Sequence, residues 1–427
     1  MKFKIIFLAI LMYAFYRIAW AGDNFLKGYQ LGDWKVDSGI EERLRYEYKS
    51  DFDFNKNVDD SGSLFFNRAR LNGKFSLEDK FEIFLEVLDA RVGCYRIKKT
   101  AQADDMDLHQ AYLKINRIMD SNFDVKMGRQ EIQYGKGRLL AAPTWANRIN
   151  AFDAVTVHYA QTPYYGDAVI GFNVKYDDHN PNHITDEEIL NGLYLGYQKD
   201  KKSPLLEVYS LNLVDNNKST TGHIHRYTVG LRLQAGLWKG FTYDFEAPYQ
   251  FGDYGTKDIK AYALHLDLNQ GFDVALKPKL TLEFNLASGD KKSSDNEVNT
   301  FVPLYQTTHA PYGIMDFFRW QNMREIAGSF TITPIKKLQL TAGVNFFWLD
   351  NIHDSWYNSS GSKLRTGIQG NEHSFVGTET SLVGKYDLTK EIQVEGGYAH
   401  FFSGPYVKDT GAHNDADWLY SQISLKF

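Results

Sequence analysis

Four arginines near the start of the chain fall at alternate positions of two neighbouring segments. Arg43 and Arg45 lie in the first segment, and Arg68 and Arg70 lie in the second. If these segments are β-strands, each pair shares one face, because strand side chains alternate from face to face. Arginine keeps its charge at any usable pH and can hold a carboxylate with paired donors. The spacing therefore predicts a cluster of guanidinium groups suited to acidic ligands, within a lumen whose charge is mixed rather than basic.

Acidic residues occupy polar positions of the first of these segments and of later segments of the same kind. They are Glu41, Glu47, Asp244, Glu246, Glu283, Glu379 and Glu395. Arg226 and Arg232 add two further cations on a third polar face. Arginines that face acids across an enclosed space would create a transverse field and a size filter. Mutual neutralisation without any ligand preference is the competing interpretation, and the sequence leaves both open.

Other groupings that could do chemistry lack the spacing that the chemistry requires. His179 and His183 flank an Asn-Pro-Asn stretch that matches no metal motif. The polar run from Asp290 to Glu297 does not have the spacing of a calcium loop. The chain contains no nucleophile-elbow sequence of the Gly-X-Ser-X-Gly type. We therefore expect no cofactor, no metal ion and no enzymatic activity.

Composition and the amino-terminal segment narrow the class of protein. The 427 residues carry 48 Lys and Arg against 53 Asp and Glu, a formal net charge of −5, so nucleic acid is not an expected partner. Residues 1–21 are typical of a secretory signal peptide, because Lys2 and Lys4 precede a short apolar run. The single cysteine, Cys94, excludes a disulfide framework within the chain. We predict an exported protein in which residues 22–427 form one domain.

The segment from Trp34 to Tyr48 shows the clearest alternation in the chain. Apolar and aromatic residues occupy one face of this segment, and charged residues occupy the other. From Trp34 to Tyr46, a tilted strand would rise roughly 28 Å. That height is close to the apolar band of about 25 Å, bounded by aromatic girdles, that outer-membrane barrels present to lipid. The pattern favours a membrane-spanning strand over a strand of a soluble sheet.

Similar segments recur to the end of the chain, and we count eighteen. They lie near residues 34–48, 64–75, 81–92, 107–116, 123–132, 151–159, 167–176, 189–197, 205–214, 225–234, 240–249, 259–268, 279–287, 323–333, 337–349, 375–386, 392–402 and 416–427. The faces of segments 81–92, 107–116 and 123–132 are ambiguous. The connections alternate between short and long, which is the rule for bacterial barrels with periplasmic turns and outer loops. The fold class predicted is an all-β, up-and-down transmembrane barrel.

The last segment, residues 416–427, should close this barrel. Leu419 and Phe427 share its apolar face, whereas Trp418 and Tyr420 share the other. A strand at the edge of a sheet exposes unpaired backbone groups, and pairing the last strand with the first removes both edges. A terminal strand that ends on Phe427 also resembles the signal that directs outer-membrane barrels to the barrel assembly machinery.

A series of short motifs extends from residue 128 to residue 322. In order, they are Gly128-Arg129-Gln130-Glu131, Tyr134-Gly135, Arg138-Leu139, Trp145, Asn147, Phe152-Asp153, Tyr249-Gln250-Phe251-Gly252, Ala287-Ser288-Gly289-Asp290, Phe301, Leu304-Tyr305, His309, Tyr312-Gly313, Asp316 and Trp320-Gln321-Asn322. Taken in this order, the motifs resemble the alginate-export family of outer-membrane barrels, over roughly residues 34 to 427.

The resemblance implies an eighteen-stranded barrel with an arginine-rich constriction for an acidic polysaccharide. Arg129, Arg138 and Asp153 match the family pattern, as do Arg68 and Arg70. The alginate exporter of this family also plugs its pore with a long periplasmic turn near its carboxyl end. The corresponding turn here, Asp387 to Glu391, is short, so we do not expect gating by that turn.

These observations predict a channel in the bacterial outer membrane, surrounded by outer-membrane lipid, for an anionic polysaccharide such as alginate. The expected pore-lining residues are Arg43, Arg45, Arg68, Arg70, Arg129, Arg138, Asp153, Arg226 and Arg232. An uptake porin for small solutes, general or solute-specific, is the alternative, and an outer-membrane enzyme or surface-interaction barrel is a third interpretation. The long loop from Ser288 to Gln321 favours a channel, because its aromatic residues are better placed inside a lumen than in water.

Overall fold

A computed structural model describes residues 27–97, 102–177, 180–216, 222–307, 309–367 and 371–427. The predicted signal peptide and His179 lie outside these residues. Eighteen antiparallel strands form the wall of the molecule. They are β1 (Trp34–Ser50), β2 (Gly62–Leu77), β3 (Phe81–Tyr95), β4 (Asp104–Ile115), β5 (Phe123–Gln130), β6 (Phe152–Gln161), β7 (Tyr164–Lys175), β8 (His183–Tyr197), β9 (Leu205–Asp215), β10 (Ile224–Trp238), β11 (Phe241–Tyr254), β12 (Lys257–Gly271), β13 (Lys279–Ala287), β14 (Met323–Ile335), β15 (Leu338–Trp348), β16 (Phe375–Asp387), β17 (Ile392–Ser403) and β18 (Ala416–Lys426).

The sheet closes on itself, as the amphipathic last segment predicts. Each strand pairs with the next in the sequence, and β18 pairs with β1 from Asp417 opposite Ser50 to Lys426 opposite Glu41. Phe427 continues this ladder, since its backbone N–H donates to the oxygen of Ile40 at 2.9 Å and its oxygen accepts from the N–H of Ile40 at 3.2 Å. Every barrel strand that the structure describes pairs with a neighbouring strand on each side, and the predicted eighteen-stranded barrel is confirmed.

The two faces of the wall differ as a membrane barrel requires. On β18, Leu419 is 48% exposed on the outward face, whereas its neighbours Trp418 and Tyr420 are at most 3% exposed on the inward face. The outward face carries many exposed apolar residues, among them Leu71, Leu85, Leu282, Ile326 and Leu382. Exposed apolar side chains all round a closed sheet are matched by lipid rather than by water.

Short connections lie at one end of the barrel, which we call the turn end, and longer ones at the other, the loop end. Turns such as 239–240 and 336–337 contain two residues. The loop end carries segments of up to 35 residues, with one exception, because β11 and β12 are joined there by only Gly255 and Thr256. A short helix, α1 (Pro405–Thr410), lies in the last loop. Among the described residues, no helix is long and apolar enough to cross a membrane.

Two long loops fold back into the barrel. We call residues 131–151 the first inward loop and residues 288–322 the second inward loop. They bring buried apolar residues such as Leu140, Phe301 and Trp320 into one cluster with inward residues of the wall. That cluster reaches from Phe152 on β6 to Tyr420 on β18. The hydrophobic core of this protein therefore lies inside the barrel, near its loop end.

Candidate functional site

The wall formed by β1 and β2 holds the first inward loop by its backbone oxygens. Arg43 lies opposite Arg68 in the strand register. Arg43 donates to the oxygen of Thr144 at 2.7 Å, and Arg68 donates to the same oxygen at 2.9 Å. Both also donate to the oxygen of Ala146, at 3.2 and 2.8 Å. Two like charges on neighbouring strands repel each other, so the shared carbonyl groups stabilise the pair.

Arg45 is the most deeply buried of the predicted arginines, at 1% exposure. Its guanidinium lies 3.9 Å from the ring centre of Trp145 and 4.5 Å from that of Phe66. It also donates to the oxygen of Trp145 at 2.7 Å and forms an ion pair with Glu47 at 2.8 Å. Stacking, hydrogen bonding and charge pairing together fix this part of the loop against β1 and β2.

Arg70 keeps more contact with the lumen, since 13% of its side chain is exposed. It pairs with Glu86 at 2.7 Å and with Glu131, the first residue of the inward loop, at 2.8 Å. Burial raises the pKa of Glu131, but its bond to His109 and the charge of Arg70 outweigh burial and hold that pKa below its usual value. Among the described residues, Glu86, His109 and Glu131 form the one group whose possible ligand atoms lie close enough together, within 4.8 Å, to hold a metal ion. Arg70 supplies the positive charge there.

The same loop is tied to the opposite wall by Arg138. This side chain pairs with Asp244 at 3.2 Å and with Glu246 at 2.9 Å, both on β11. Asp244 also pairs with Arg232, which reaches Glu207 at 2.6 Å. Burial lowers the pKa of Arg138, but the carboxylates of Glu246 and Asp244 raise it above its usual value. The first inward loop therefore spans the lumen between two walls.

The second inward loop is held by an acid of the wall. The Glu379 carboxylate on β16 accepts from the backbone N–H groups of Ile314 at 2.5 Å and Met315 at 3.2 Å. Gly313, with φ of 75°, allows this approach, because a Cβ there would lie 2.6 Å from the carboxylate. Glycine adopts this backbone conformation without strain. Glu379 thus holds this loop by its amide groups, as Arg43 and Arg68 hold the first loop by its carbonyl groups.

Backbone hydrogen bonds join the two inward loops to each other. The N–H of Tyr305 donates to the oxygen of Leu139, and the N–H of Ala141 donates to the oxygen of Tyr305, both at 2.8 Å. The N–H of Thr307 donates to the oxygen of Gly137 at 2.9 Å. The loops therefore form one insert within the barrel, and the predicted inward folding of the aromatic loop from Ser288 is confirmed by its contacts.

Charge is unevenly distributed around the lumen. Arg43, Arg45, Arg68 and Arg70 lie on β1 and β2, with Glu41 and Glu47 beside them. The inward acids of β11–β17, which we call the acidic wall, are Asp244, Glu246, Asp267, Glu283, Glu325, Glu379 and Glu395. Towards the turn end, a cavity of about 220 Å³ is lined by Lys114, Lys126 and His158 together with acids and Tyr134. The arginines of β1 and β2 therefore lie opposite Asp244 and Glu246 of β11, and the acidic wall continues from there round the lumen to β17.

Two predicted pore residues lie on the other side of the wall. Arg129 and Asp153 are register partners and form an ion pair at 2.8 Å. They share the outward face with Met127 and Val155, which are 38% and 43% exposed. Arg129 also donates to the oxygens of Leu108 and Asn182 at 3.2 and 3.1 Å. The pair does not line the lumen, and it joins the short strand β5 to its neighbours instead.

The remaining predicted residue, Arg226, faces the lumen on β10 and is 6% exposed. Sequence reasoning did not single out Arg319 or the carbonyl groups of residues 144–146 as functional groups. Arg319 lies between two of the family motifs, Asp316 and Trp320-Gln321-Asn322, and this position was the one sequence feature that pointed to it. The carbonyl groups carried none, because every residue has one.

Solved structures with the same fold come from outer-membrane proteins. OccK2 (OpdF) of Pseudomonas aeruginosa aligns over 92% of this chain and 97% of its own, with a TM-score of 0.62 and 11% identity. OccK2 in complex with glucuronate gives a TM-score of 0.61 with 92% and 98% coverage at 11% identity. OpdK of the same organism gives 0.60 with 92% and 98% coverage at 10% identity. No curated protein matches the chain.

The family comparison agrees with the fold. The family model described as alginate export matches residues 35–420. The barrel, its apolar outward face and its charged lumen are those of a channel in the bacterial outer membrane. The chain belongs to the alginate-export family of outer-membrane proteins.

Proposed function

We propose that the channel passes an anionic polysaccharide such as alginate, or short segments of one. The observation that carries this proposal is the separation of charge across the lumen. Four arginines stand on β1 and β2, and the acidic wall stands on β11–β17. A uronate polymer has a carboxylate and several hydroxyl groups on each sugar. The carboxylates would lie towards the guanidinium side, and the hydroxyl groups would donate to the partly exposed acids of the acidic wall, Asp267, Glu283 and Glu395.

Arg70 is the arginine of this set with the most exposed side chain, and we propose it as the main contact for cargo. Arg43, Arg45 and Arg68 are at most 3% exposed, and they act by holding the first inward loop in place. Contacts in a conducting channel must remain weak and numerous. A partly exposed arginine that already shares two carboxylates meets that condition, because a passing uronate competes with Glu86 and Glu131 for it. The glucuronate complex of OccK2 supports the sugar class.

An uptake porin for short acidic solutes is the second candidate function. The observation in its favour is the insert, because two loops and an apolar cluster occupy the lumen near the loop end. A crowded lumen suits a single sugar acid better than a polymer strand. Both candidates require selectivity for acidic sugars, and they differ in the length of cargo.

Currents through the purified protein in planar bilayers test both candidates. We expect anion preference in a salt gradient, and block by mannuronate oligomers but not by neutral glucose oligomers of equal length. Arg70→Gln should reduce anion preference and block, and both effects should weaken in 1 M salt, where the screening length is about 3 Å. Block by monomers alone would favour the uptake porin. Cation preference without any uronate block would overturn the proposal.

A further inference from the structure

Arg226 is a buried charge that has no ion-pair partner among the described residues. It is the third residue of β10, and its register partners are Leu213 on β9 and Gly252 on β11. At 6% exposure, it forms no ion pair or hydrogen bond with any residue that the structure describes, and its Nε is buried without an acceptor. Asp215 lies near on the next strand, outside ion-pair distance. A buried charge without a partner is strongly unfavourable.

Arg319, in the second inward loop, is a second such group. Its Nη2 donates to the oxygen of Pro303 at 3.0 Å, but its buried Nε has no acceptor, and it pairs with no acid in the described part of the chain. Burial and, to a smaller extent, the nearby charge of Arg226 together lower the pKa of Arg319 to about 10. Gly361, with φ of 85°, lies against Nη1, where any Cβ would overlap the guanidinium.

Hydrogen bonds between their neighbours place the two arginines in the same part of the lumen. Thr228 lies two residues after Arg226 on the same face, and its hydroxyl accepts from Gln250 Nε2 at 3.2 Å. Gln250 binds both backbone groups of Val302, at 2.8 and 3.1 Å. Pro303, whose backbone oxygen accepts from Arg319, is the next residue after Val302. This chain of contacts brings the loop guanidinium to the wall beside Arg226, near the loop end of the barrel.

We infer that Arg226 and Arg319 together bind an oxyanion, and that the anion is a carboxylate of an acidic sugar. Two guanidinium groups that each keep donors without acceptors can both donate to one carboxylate. The phenol of Tyr312, which is 2% exposed and has no partner for its hydroxyl group among the described residues, lies close to Arg319 and offers a further donor. The identity of the sugar rests on the proposed function, whereas the anion site rests on the buried charges.

Calorimetry on the full-length barrel in detergent micelles tests the site, with glucuronate, mannuronate oligomers and inorganic phosphate as probes. We expect binding of uronate that weakens with salt. Arg226→Gln and Arg319→Gln should each weaken binding about tenfold, because each removes charged hydrogen bonds, and Arg226→Lys should restore part of it. Arg324→Gln is the matched control, since Arg324 is exposed and already pairs with Asp350 at 2.8 Å.

A second readout is the temperature at which the unheated gel mobility of the barrel is lost. Without anion, Arg226→Gln should raise this temperature, because it removes an uncompensated buried charge. With uronate, the wild type should gain stability and the variant should not. Gly361→Ala, which displaces Arg319 without removing it, should weaken binding in the same way.

Three results would overturn the inference. The first is absence of uronate binding by the wild type, and the second is binding by the Arg226 and Arg319 variants that is as tight as that of the wild type. The third is binding of phosphate but not of uronates, which would place an inorganic ion at the site. The bilayer currents keep this test separate from the proposed function. A channel that prefers anions and is blocked by uronates, yet shows no binding that depends on Arg226, would contradict the site alone.

Discussion

Arg43 and Arg68 face each other on β1 and β2, and both donate to the same backbone oxygen, that of Thr144, at 2.7 and 2.9 Å. Two positive charges are therefore held side by side by a neutral group of the first inward loop. Removal of either arginine would leave the Thr144 oxygen to the other one. The loop would then be held by fewer hydrogen bonds in total. The position of the loop depends on the pair, and the width of the lumen depends on the loop.

Substitution of these arginines should widen the channel. We expect Arg68→Ala to raise the single-channel conductance and its fluctuations, because each lost hydrogen bond to a charged group weakens loop attachment by about 1.5–3 kcal/mol. Lys74→Ala is the matched control, since Lys74 lies on the same face of β2 with 41% side-chain exposure and only a long contact of 3.8 Å to Asp37. Equal conductance in Arg68→Ala, Lys74→Ala and the wild type would contradict the holding role.

The second inward loop can be released without a change in charge. Gly313→Ala places a Cβ 2.6 Å from the Glu379 carboxylate, in a backbone conformation that alanine rarely adopts, at a strain of about 1–3 kcal/mol. We expect faster cleavage of this loop by protease added to intact cells, together with larger conductance. Gly328→Ala should change neither property, because the nearest atom to its Cβ would be at 3.7 Å. An intact loop in the Gly313 variant would count against its attachment to Glu379.

The barrel was predictable from the sequence because a membrane wall imposes period-two alternation on every strand. Segments with clean alternation, such as Trp34 to Tyr48, appear as strands with the expected faces. β5 was ambiguous, because its alternation is clean only from Phe123 to Met127 and is broken by Gly128, Arg129 and Gln130. Alternation from Met127 places Arg129 on the outward face, in agreement with its register partners Ala111 and Asp153, but its charge made the lumen the expected side.

The lumen was less predictable than the wall. The sequence indicated which arginines face inward on β1 and β2, but not that loop carbonyl groups about one hundred residues away accept their hydrogen bonds. Backbone acceptors carry no residue identity, so spacing cannot reveal them. The apolar residues of the second inward loop were more informative, because Trp320 and Phe301 had to be buried somewhere.

The network around Arg138 should behave as a unit. Arg138→Gln removes the cation that Asp244 and Glu246 share with the first inward loop, and breaking a buried pair in this way costs about 3–5 kcal/mol. We expect a lower temperature for loss of unheated gel mobility. Arg138→Gln combined with Glu246→Gln should recover part of that loss, because the unpaired carboxylate is also removed. A stability loss in the double variant that is larger than the sum of the losses in the two single variants would argue against this coupling.

Arg129 provides the sharpest contrast with the lumen arginines. Because it pairs with Asp153 on the outward face, Arg129→Gln should leave ion selectivity and uronate block unchanged, whereas Arg70→Gln should reduce both. The same Arg129 variant should lower the thermal stability of the barrel, because the side chain links β5 to β6 and to the oxygens of Leu108 and Asn182. Bilayer reversal potentials measure the first effect, and gel mobility after stepwise heating measures the second. Lost anion preference with normal stability in Arg129→Gln would instead place this arginine in the path of the cargo.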